Sequence, residues 1–248
     1  MVIDSVSSSQ VIRGLPRTIN FLTHGMGAVE FRKFNMVGLN SRPNAFPLLM
    51  GKTIETVTRK PMNLPSVQPD WSYNEHCKRY LDDEPYIPLE YEKLGYKTLG
   101  AEDFLGSILH YPYCKAMKRR QFHHIYRPFH TRLEKDEELK NIHLKGSCQK
   151  EYSHMLNYLS TFVNAYRGLP KFSLTWMVDL THDDTRRLYD SDYEIYSFFL
   201  KNRDALNNSF IFFLGDHGPR IGSVSAFEFL IIHFPHTVLL EWYCFVFR

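Results

Sequence analysis

Apolar positions recur along this chain with two periods. Leu15, Ile19 and Leu22 fall on one face of a short helix, and Met155, Leu159, Phe162 and Tyr166 on one face of a longer one. Tyr189, Tyr193, Tyr196 and Leu200 mark a third, and all three stripes are expected to face a core. The third leads through Asn207-Asn208 into the apolar run Phe210-Ile211-Phe212-Phe213-Leu214, which reads as a buried strand. At the amino terminus Met1-Val2-Ile3 reads as a short strand ending on an acid, Asp4, with small hydroxyl residues after it. The stretch Phe34 to Leu39 reads as another strand, and Ser41 with Pro43 after it has the wording of a helix start. Helix and strand signals thus alternate as in a layered α/β protein. Between residues 52 and 150, Pro-rich loops and scattered charges are less regular, as insertions over an active face would be. The sequence holds no internal repeat and no low-complexity tract.

Composition narrows the picture. A chain of 248 residues with 44% hydrophobic content can bury the core of a single α/β domain. A formal charge of +3 is too small to imply nucleic acid. The basic stretch Lys115 to Arg132 holds Lys118-Arg119-Arg120 and His123-His124 beside aromatics, but no recognised binding motif frames it. It is read as a solvated or substrate-facing loop. The histidines His24, His76, His110, His130, His143 and His154 lack mutual ligand spacing and are read as surface or packing residues. Cys77, Cys114, Cys148 and Cys244 have no close-paired spacing, which argues against a structural zinc site.

Chemistry concentrates at three places. Gly215-Asp216-His217-Gly218 follows the Phe210 strand, so a carboxylate and an imidazole stand together at the carboxyl edge of a sheet, where divalent metals are commonly held. Asp4 is either a second acid of that site or a helix cap ahead of Arg13-Gly14-Leu15-Pro16. Ser41 is either a helix cap or a hydroxyl that gives up its proton beside a metal and attacks phosphorus or sulfur.

Asp4 closing a first strand, Ser41-x-Pro43-Asn44 followed by Leu48-Leu49-Met50-Gly51, and the late Asp216-His217-Gly218 together resemble the alkaline phosphatase and sulfatase superfamily. The whole order more closely resembles an animal sulfatase-like family known as domain of unknown function 229. Its further marks are Arg13-x-Leu15-Pro16, Gly95-Tyr96-x-Thr98 with Glu102-Asp103, Tyr126-Arg127-Pro128-Phe129, Thr181-His182-Asp183, and Arg220-x-Gly222. The match runs from about residue 1 to about residue 222, and the ordered set is more specific than any one motif.

The resemblance implies an alkaline-phosphatase-like layered fold, a central mixed, mostly parallel sheet between helices. It implies that Asp4, Ser41, Asp216 and His217 bind one divalent metal (Mn, Zn, Ca or Mg), with Ser41 also the nucleophile. Double-metal members use an Asp-x-x-x-His pair, whereas Asp179-Leu180-Thr181-His182 is one residue shorter, which favours one metal and leaves His182 to face the substrate oxyanion or leaving oxygen. Arg42, Asn44 and Arg220 are the substrate-binding candidates, the two arginines balancing an anionic substrate. Animal sulfatases carry Cys-x-Pro-Ser-Arg; with Ser41 in place of the Cys and Ala45 at the Arg position, the alkoxide route of phosphoryl or phospho-head-group transfer is favoured over sulfate hydrolysis through formylglycine. The implied partner is a small-molecule, glycan or lipid phosphate or sulfate ester, with no nucleic acid. The family is secretory, which implies an extracellular or luminal location and permits a disulfide; Cys148 sits where the family tends to keep one, and the connectivity stays open.

Both ends are expected to be incomplete relative to that family. Met1 lies inside the first strand, with no room for a signal peptide or membrane anchor. The expected organisation is a partial sulfatase-like domain over residues 1–225 and a divergent apolar tail over 226–248. The tail is interrupted by His233, Pro235 and His236 and falls short of the ~20 continuous apolar residues a membrane span needs. The alternative to an enzyme is a truncated, inactive or binding-only isoform.

Overall fold

The computed structural model describes residues 1–31, 34–104, 107–143, 150–219 and 244–247. Its strands are β1 (Val2–Ile3), β2 (Val29–Glu30), β3 (Lys97–Glu102), β4 (His124–Ile125), β5 (Lys171–Met177), β6 (Ile211–Gly215) and β7 (Cys244–Phe247). Its α-helices are α1 (Ser8–Gly14), α2 (Pro16–Asn20), α3 (Ser41–Met50), α4 (Tyr73–Cys77), α5 (Ile87–Lys93), α6 (Arg127–Lys135), α7 (Glu137–Asn141), α8 (Glu151–Asn164), α9 (Arg187–Lys201) and α10 (Arg203–Leu206). The strands form one sheet in the order β2-β7-β6-β1-β5-β3-β4. β6, β1, β5, β3 and β4 run parallel, while β7 is antiparallel to both β6 and β2.

Helices pack on both faces of the sheet, though not over its whole extent: in the run expected to be a buried strand, Phe213 and Leu214 are buried while Phe210 and Phe212 are exposed. Ile3, Leu99, Met177 and Phe213 point into a core shared with α1, α2, α8 and α9. Val2, Trp176 and Leu214, their neighbours in sequence, point into a second core with Phe46 and Leu49 of α3 and Leu89 of α5. Each such fully buried side chain contributes about 1.5–3 kcal/mol. The stripes of Leu15 with Leu22 and of Met155, Leu159 and Phe162 lie in the first of these cores, as their periodicity predicts.

Other elements differ from the reading of the sequence. In α9, Tyr189 and Tyr193 are 54% and 64% exposed, and Leu200 is exposed as well. The buried face is the next one round: Leu188, Asp192, Ile195, Phe198 and Phe199. Its rotation follows from Asp192, whose carboxylate accepts the Arg17 and Thr18 amides at 3.0 and 2.9 Å and so caps the amino end of α2. Phe34 to Leu39 is not a strand; the Val37 and Gly38 amides are taken by the Asn44 side chain. The irregular stretch 52–150 supplies β3, a six-residue strand paired along its whole length with β5. Within the apolar tail, Cys244–Phe247 pairs between β6 and β2; Arg220, Gly222 and the rest of the tail before Cys244 lie outside the described residues.

Candidate metal centre

Parallel pairing brings strand ends together. Ile3 of β1 lies opposite Gly215 of β6 and Met177 of β5, so the residues that follow, Asp4, Asp216 and Val178, emerge side by side at the carboxyl edge. Asp4 is anchored through its amide to the Met177 carbonyl at 2.9 Å, and the Thr181 hydroxyl donates to the Asp4 carbonyl. Ser5 then turns the chain in the left-handed region, with φ 55°. That turn aims the Ser5 amide at Oδ1 of Asp216, 3.0 Å away, and its hydroxyl at Oδ1 of Asp4, 3.2 Å away. The His217 amide also donates to Oδ1 of Asp216, at 2.8 Å.

Ser41 opens α3, and Asn40 holds the cap position without a side-chain capping bond to the helix. The Ser41 hydroxyl therefore does not cap the helix; it donates to Oδ1 of Asp4 at 3.1 Å and lies 3.2 Å from Nε2 of His217. Nε2 of His217 in turn lies 3.1 Å from Oδ1 of Asp4 and 3.7 Å from Oδ2 of Asp216. Asp4, Asp216 and His217 are 0%, 4% and 1% exposed. The four residues expected to hold a metal thus meet at one point.

Electrostatics at that point is unbalanced. Burial alone would raise the Asp4 carboxyl, but the hydrogen bond and charge of His217 outweigh it and hold the group below its ordinary range. Burial, aided by the charge of Asp4, pushes Asp216 up to about 7. Burial would lower His217, yet its hydrogen bond to Asp4 and the charge of Asp216 carry it above its usual value. Oδ2 of Asp4 and Oδ2 of Asp216 are both buried without a hydrogen-bond partner. Asp4, Asp216 and His217 each present one ligand atom, all within 4.8 Å of one another. Orphaned carboxylate oxygens beside an imidazole whose Nδ1 is tied to the Gly218 carbonyl at 2.8 Å fit a divalent cation, because that backbone bond directs the other ring nitrogen toward the carboxylates.

His182 lies nearby, close enough to Asp4 for its charge to lower that carboxyl. Its ring stacks on Phe104 at 5.6 Å, and its Nδ1 is 2.7 Å from the Asp183 carboxylate. Arg42 is engaged elsewhere: Nε donates to the Ile108 carbonyl at 2.9 Å, Nη2 to the His76 carbonyl at 3.2 Å, and the guanidinium lies over Phe46. Asn44 is likewise engaged, accepting from Val37 and Gly38 and donating to the Gly38 and Asn40 carbonyls at 2.7 Å each.

Ser5 and Asp103 carry work that the sequence reading did not give them. Ser5 was visible only as a small hydroxyl after the strand. Asp103, which closes β3, accepts the Val178 and Asp179 amides at 2.6 and 3.3 Å and so shapes the turn that carries Thr181 and His182. His130, expected to be a surface or packing residue without ligand spacing, is buried with its Nδ1 3.3 Å from Glu151, and with Glu134 the pair forms a second group whose ligand atoms lie within 4.8 Å of one another. Cys77 and Cys114 form a disulfide, and Cys148 lies outside the described residues. No helix among the described residues is long and apolar enough to cross a membrane.

Residues 1–230 match the family described as "Protein of unknown function (DUF229)". No curated protein sequence matches the chain. Among solved structures, the fold is similar to that of a protein in the alkaline phosphatase superfamily from Vibrio parahaemolyticus, with a TM-score of 0.59 and 14% identity over 99% of this chain and 58% of that one. It is also similar to the lipoteichoic acid synthase LtaP from Listeria monocytogenes, with a TM-score of 0.57 and 13% identity over 100% of this chain and 64% of that one. A third likeness is to the C-terminal periplasmic domain of EcEptC from Escherichia coli, with a TM-score of 0.52 and 11% identity over 100% of this chain and 70% of that one. At these identities the likeness establishes an alkaline-phosphatase-like fold, and the chain spans less than two thirds of the first two of these proteins.

Proposed function

The chain belongs to the DUF229 family, and from that membership and the geometry around Ser41 we propose that it is a metal-dependent phosphoric or sulfuric ester hydrolase or phospho-head-group transferase. Asp4, Ser41, Asp216 and His217 would hold one divalent ion, and Ser41 would be the nucleophile. The observation that carries this reading is the convergence of the Ser41 hydroxyl with Oδ1 of Asp4 and Nε2 of His217, at 3.1 and 3.2 Å, beside two orphaned carboxylate oxygens.

When bound, the ion would supply positive charge to the ester oxygens and ease loss of the serine proton. Asp4 Oδ1 accepts the Ser41 hydroxyl hydrogen and so sets the direction in which an oxygen lone pair faces substrate. Ser41 Oγ passes its proton to Oδ1 of Asp4 and forms an oxygen–phosphorus bond as the bond from phosphorus to the ester's leaving oxygen breaks, that oxygen departing with the electron pair and taking up a proton from water. His182, at the rim and oriented by Asp183, faces that leaving oxygen. Water or an acceptor alcohol then takes the phosphoryl group from Ser41, which decides between hydrolysis and transfer. The substrate class is a small-molecule, glycan or lipid ester. The Cys77–Cys114 disulfide supports an extracellular or luminal location, where such bonds persist.

The test is turnover of an aryl phosphate or an aryl phosphodiester by the purified chain with added Mn, Zn, Ca or Mg. Turnover that depends on metal and is lost in Ser41→Ala is expected. Absence of any metal binding by calorimetry, in a folded protein, would overturn the proposal.

A further inference from the structure

A cavity of about 890 Å³, whose lining does not include Ser41, lies against the face of the sheet that carries α3. Its floor is apolar, formed by Leu49 of α3, Tyr86, Phe122, and Leu174 with Trp176 of β5. Its rim is cationic, formed by Lys118, Arg119 and Arg120 on one side and by Arg127, Arg132 and Lys135 on the other. The second group belongs to α6, whose Pro128, Thr131, Arg132 and Lys135 share one face by their three- and four-residue spacing. His130 and Leu133, on the opposite face, are buried. The basic stretch that the sequence displays without a binding motif therefore wraps the mouth of an apolar hole.

The positive charge there is only partly cancelled. Arg132 pairs with Asp136 at 2.9 Å, and Arg120 approaches Glu92 at 3.9 Å. The charge of Arg119 is partly offset by Asp82, whose carboxylate also accepts the Lys118 and Arg119 amides, whereas among the described residues the side chain of Lys135 has no acidic partner. The acid that does line the cavity, Glu102, is pushed up to about 8 by burial, so near neutral pH it is mostly uncharged. A flexible hydrated polyanion would leave the apolar floor empty, and a neutral lipid would leave the rim unmatched. The complement of both is one molecule with a compact anion at one end and a hydrocarbon at the other, and the volume is in the usual range for such a ligand.

We propose that this cavity binds an anionic amphiphile, an alkyl phosphate or alkyl sulfate monoester whose headgroup meets Arg119 and Lys135 and whose chain lies on Leu49, Phe122 and Trp176. The inference concerns binding alone and does not depend on the chemistry assigned to Ser41.

Calorimetry with octyl phosphate and octyl sulfate below their micelle concentrations, in the presence of a chelator so that no turnover intrudes, tests it. Octyl glucoside supplies the same chain without charge, and inorganic phosphate the same anion without the chain. Both octyl esters should bind at least about tenfold more tightly than either control. The exposed pair Arg119→Glu with Lys135→Glu should weaken binding by about tenfold or more at unchanged thermal stability, and Ser41→Ala should bind as the unaltered protein does. Equal affinity for octyl glucoside or for inorganic phosphate would overturn the proposal, as would full binding by the folded double variant. Loss of binding in Ser41→Ala would also overturn it, by moving the ligand to the candidate metal centre. Should the double variant fail to fold, affinity of the unaltered protein must fall between about 50 mM and 500 mM salt, where screening shortens to a few ångströms; a flat response rejects the cationic headgroup site.

Discussion

Nε2 of His217 lies 3.1 Å from Oδ1 of Asp4, one residue just after the sixth strand and the other just after the first. The contact follows from register. Pairing Ile3 with Gly215 leaves the next residues of β1 and β6 facing one another across the strand ends, and the Ser5 amide closes the circle by holding Asp216. Two carboxylates and an imidazole buried together favour a positive charge among them, and the contacts with both carboxylates raise the His217 imidazole above its usual range. A divalent ion would supply that charge and also use the two carboxylate oxygens that have no hydrogen-bond partner.

Metal should therefore stabilise the fold. At a free concentration of about 100 times its Kd, an ion that binds only the folded chain adds about 2.7 kcal/mol, which for a chain of this length corresponds to a rise in Tm of several degrees. Binding should release protons, since Asp216 and His217 both hold theirs above their usual range. Differential scanning calorimetry with and without Mn or Zn is the measurement. Asp216→Asn is expected to abolish the shift, and a full shift in that variant would place the ion elsewhere.

Asn44 gives the second expectation. Its amide accepts from Val37 and Gly38 and donates to the Gly38 and Asn40 carbonyls, and so fixes the loop that delivers Ser41. Asn44→Ala should cost about 2 kcal/mol, a few net hydrogen bonds in a partly exposed loop. Asn44→Asp keeps the acceptor but turns a charged oxygen toward the Gly38 and Asn40 carbonyls, so its deficit should shrink on acidification below pH 4. Urea midpoints at pH 7 and pH 3.5 distinguish the two; equal deficits for Asn44→Asp at both would contradict the bond pattern.

Asn44 also marks where the sequence stops being legible. Asp4, Ser41, Asp216 and His217 could be named in advance because each sits at a strand end or helix start that local pattern reveals, and because their order along the chain resembles a family. The strand expected over Phe34 to Leu39 failed because a side chain at position 44 takes the backbone amides a ladder would need. The tyrosine stripe of α9 failed for a related reason: helical spacing marks two adjacent faces there, and the contact of Asp192 with the end of α2 decides between them. Ser5, through its own amide to the Asp216 carboxylate, and Asp103, through its carboxylate to the Val178 amide, act on distant segments, and no local spacing encodes such a partner. Periodicity finds elements, whereas long-range hydrogen bonds set their rotation and register.

The disulfide gives a third expectation. Cys77 and Cys114 are 37 positions apart, and closing a loop of that size stabilises by about 4 kcal/mol in the chain-entropy picture. The bond ties the end of α4 to the segment before the cationic rim. Reduction, or Cys77→Ser with Cys114→Ser, should lower the urea midpoint by a corresponding amount with little change in the metal-dependent increment, which resides on the other strand ends. Equal loss of both would show that the two regions unfold as one local unit.

Asp103 gives a pH dependence whose sign can be worked out. Burial pushes its carboxyl up to about 7, against the Val178 amide bond that favours the charged form, and the charge of Asp179 adds to the rise. In the unfolded chain the same group titrates near its ordinary value of about 4. Between those values the folded state keeps a proton that the unfolded state has released, so this group's contribution is fully present below about pH 4 and is lost as pH rises through about 7. The change is at most about 4 kcal/mol, with water penetration reducing it. Asp103→Asn retains an oxygen for the Val178 and Asp179 amides and has no charge to bury, so its stability relative to the unaltered protein should improve steadily from pH 4 to pH 7 and then level off. Urea unfolding of both proteins across that range measures the difference directly. A constant difference would mean that Asp103 is already ionised in the fold at pH 4, held by the two amides more strongly than burial opposes it.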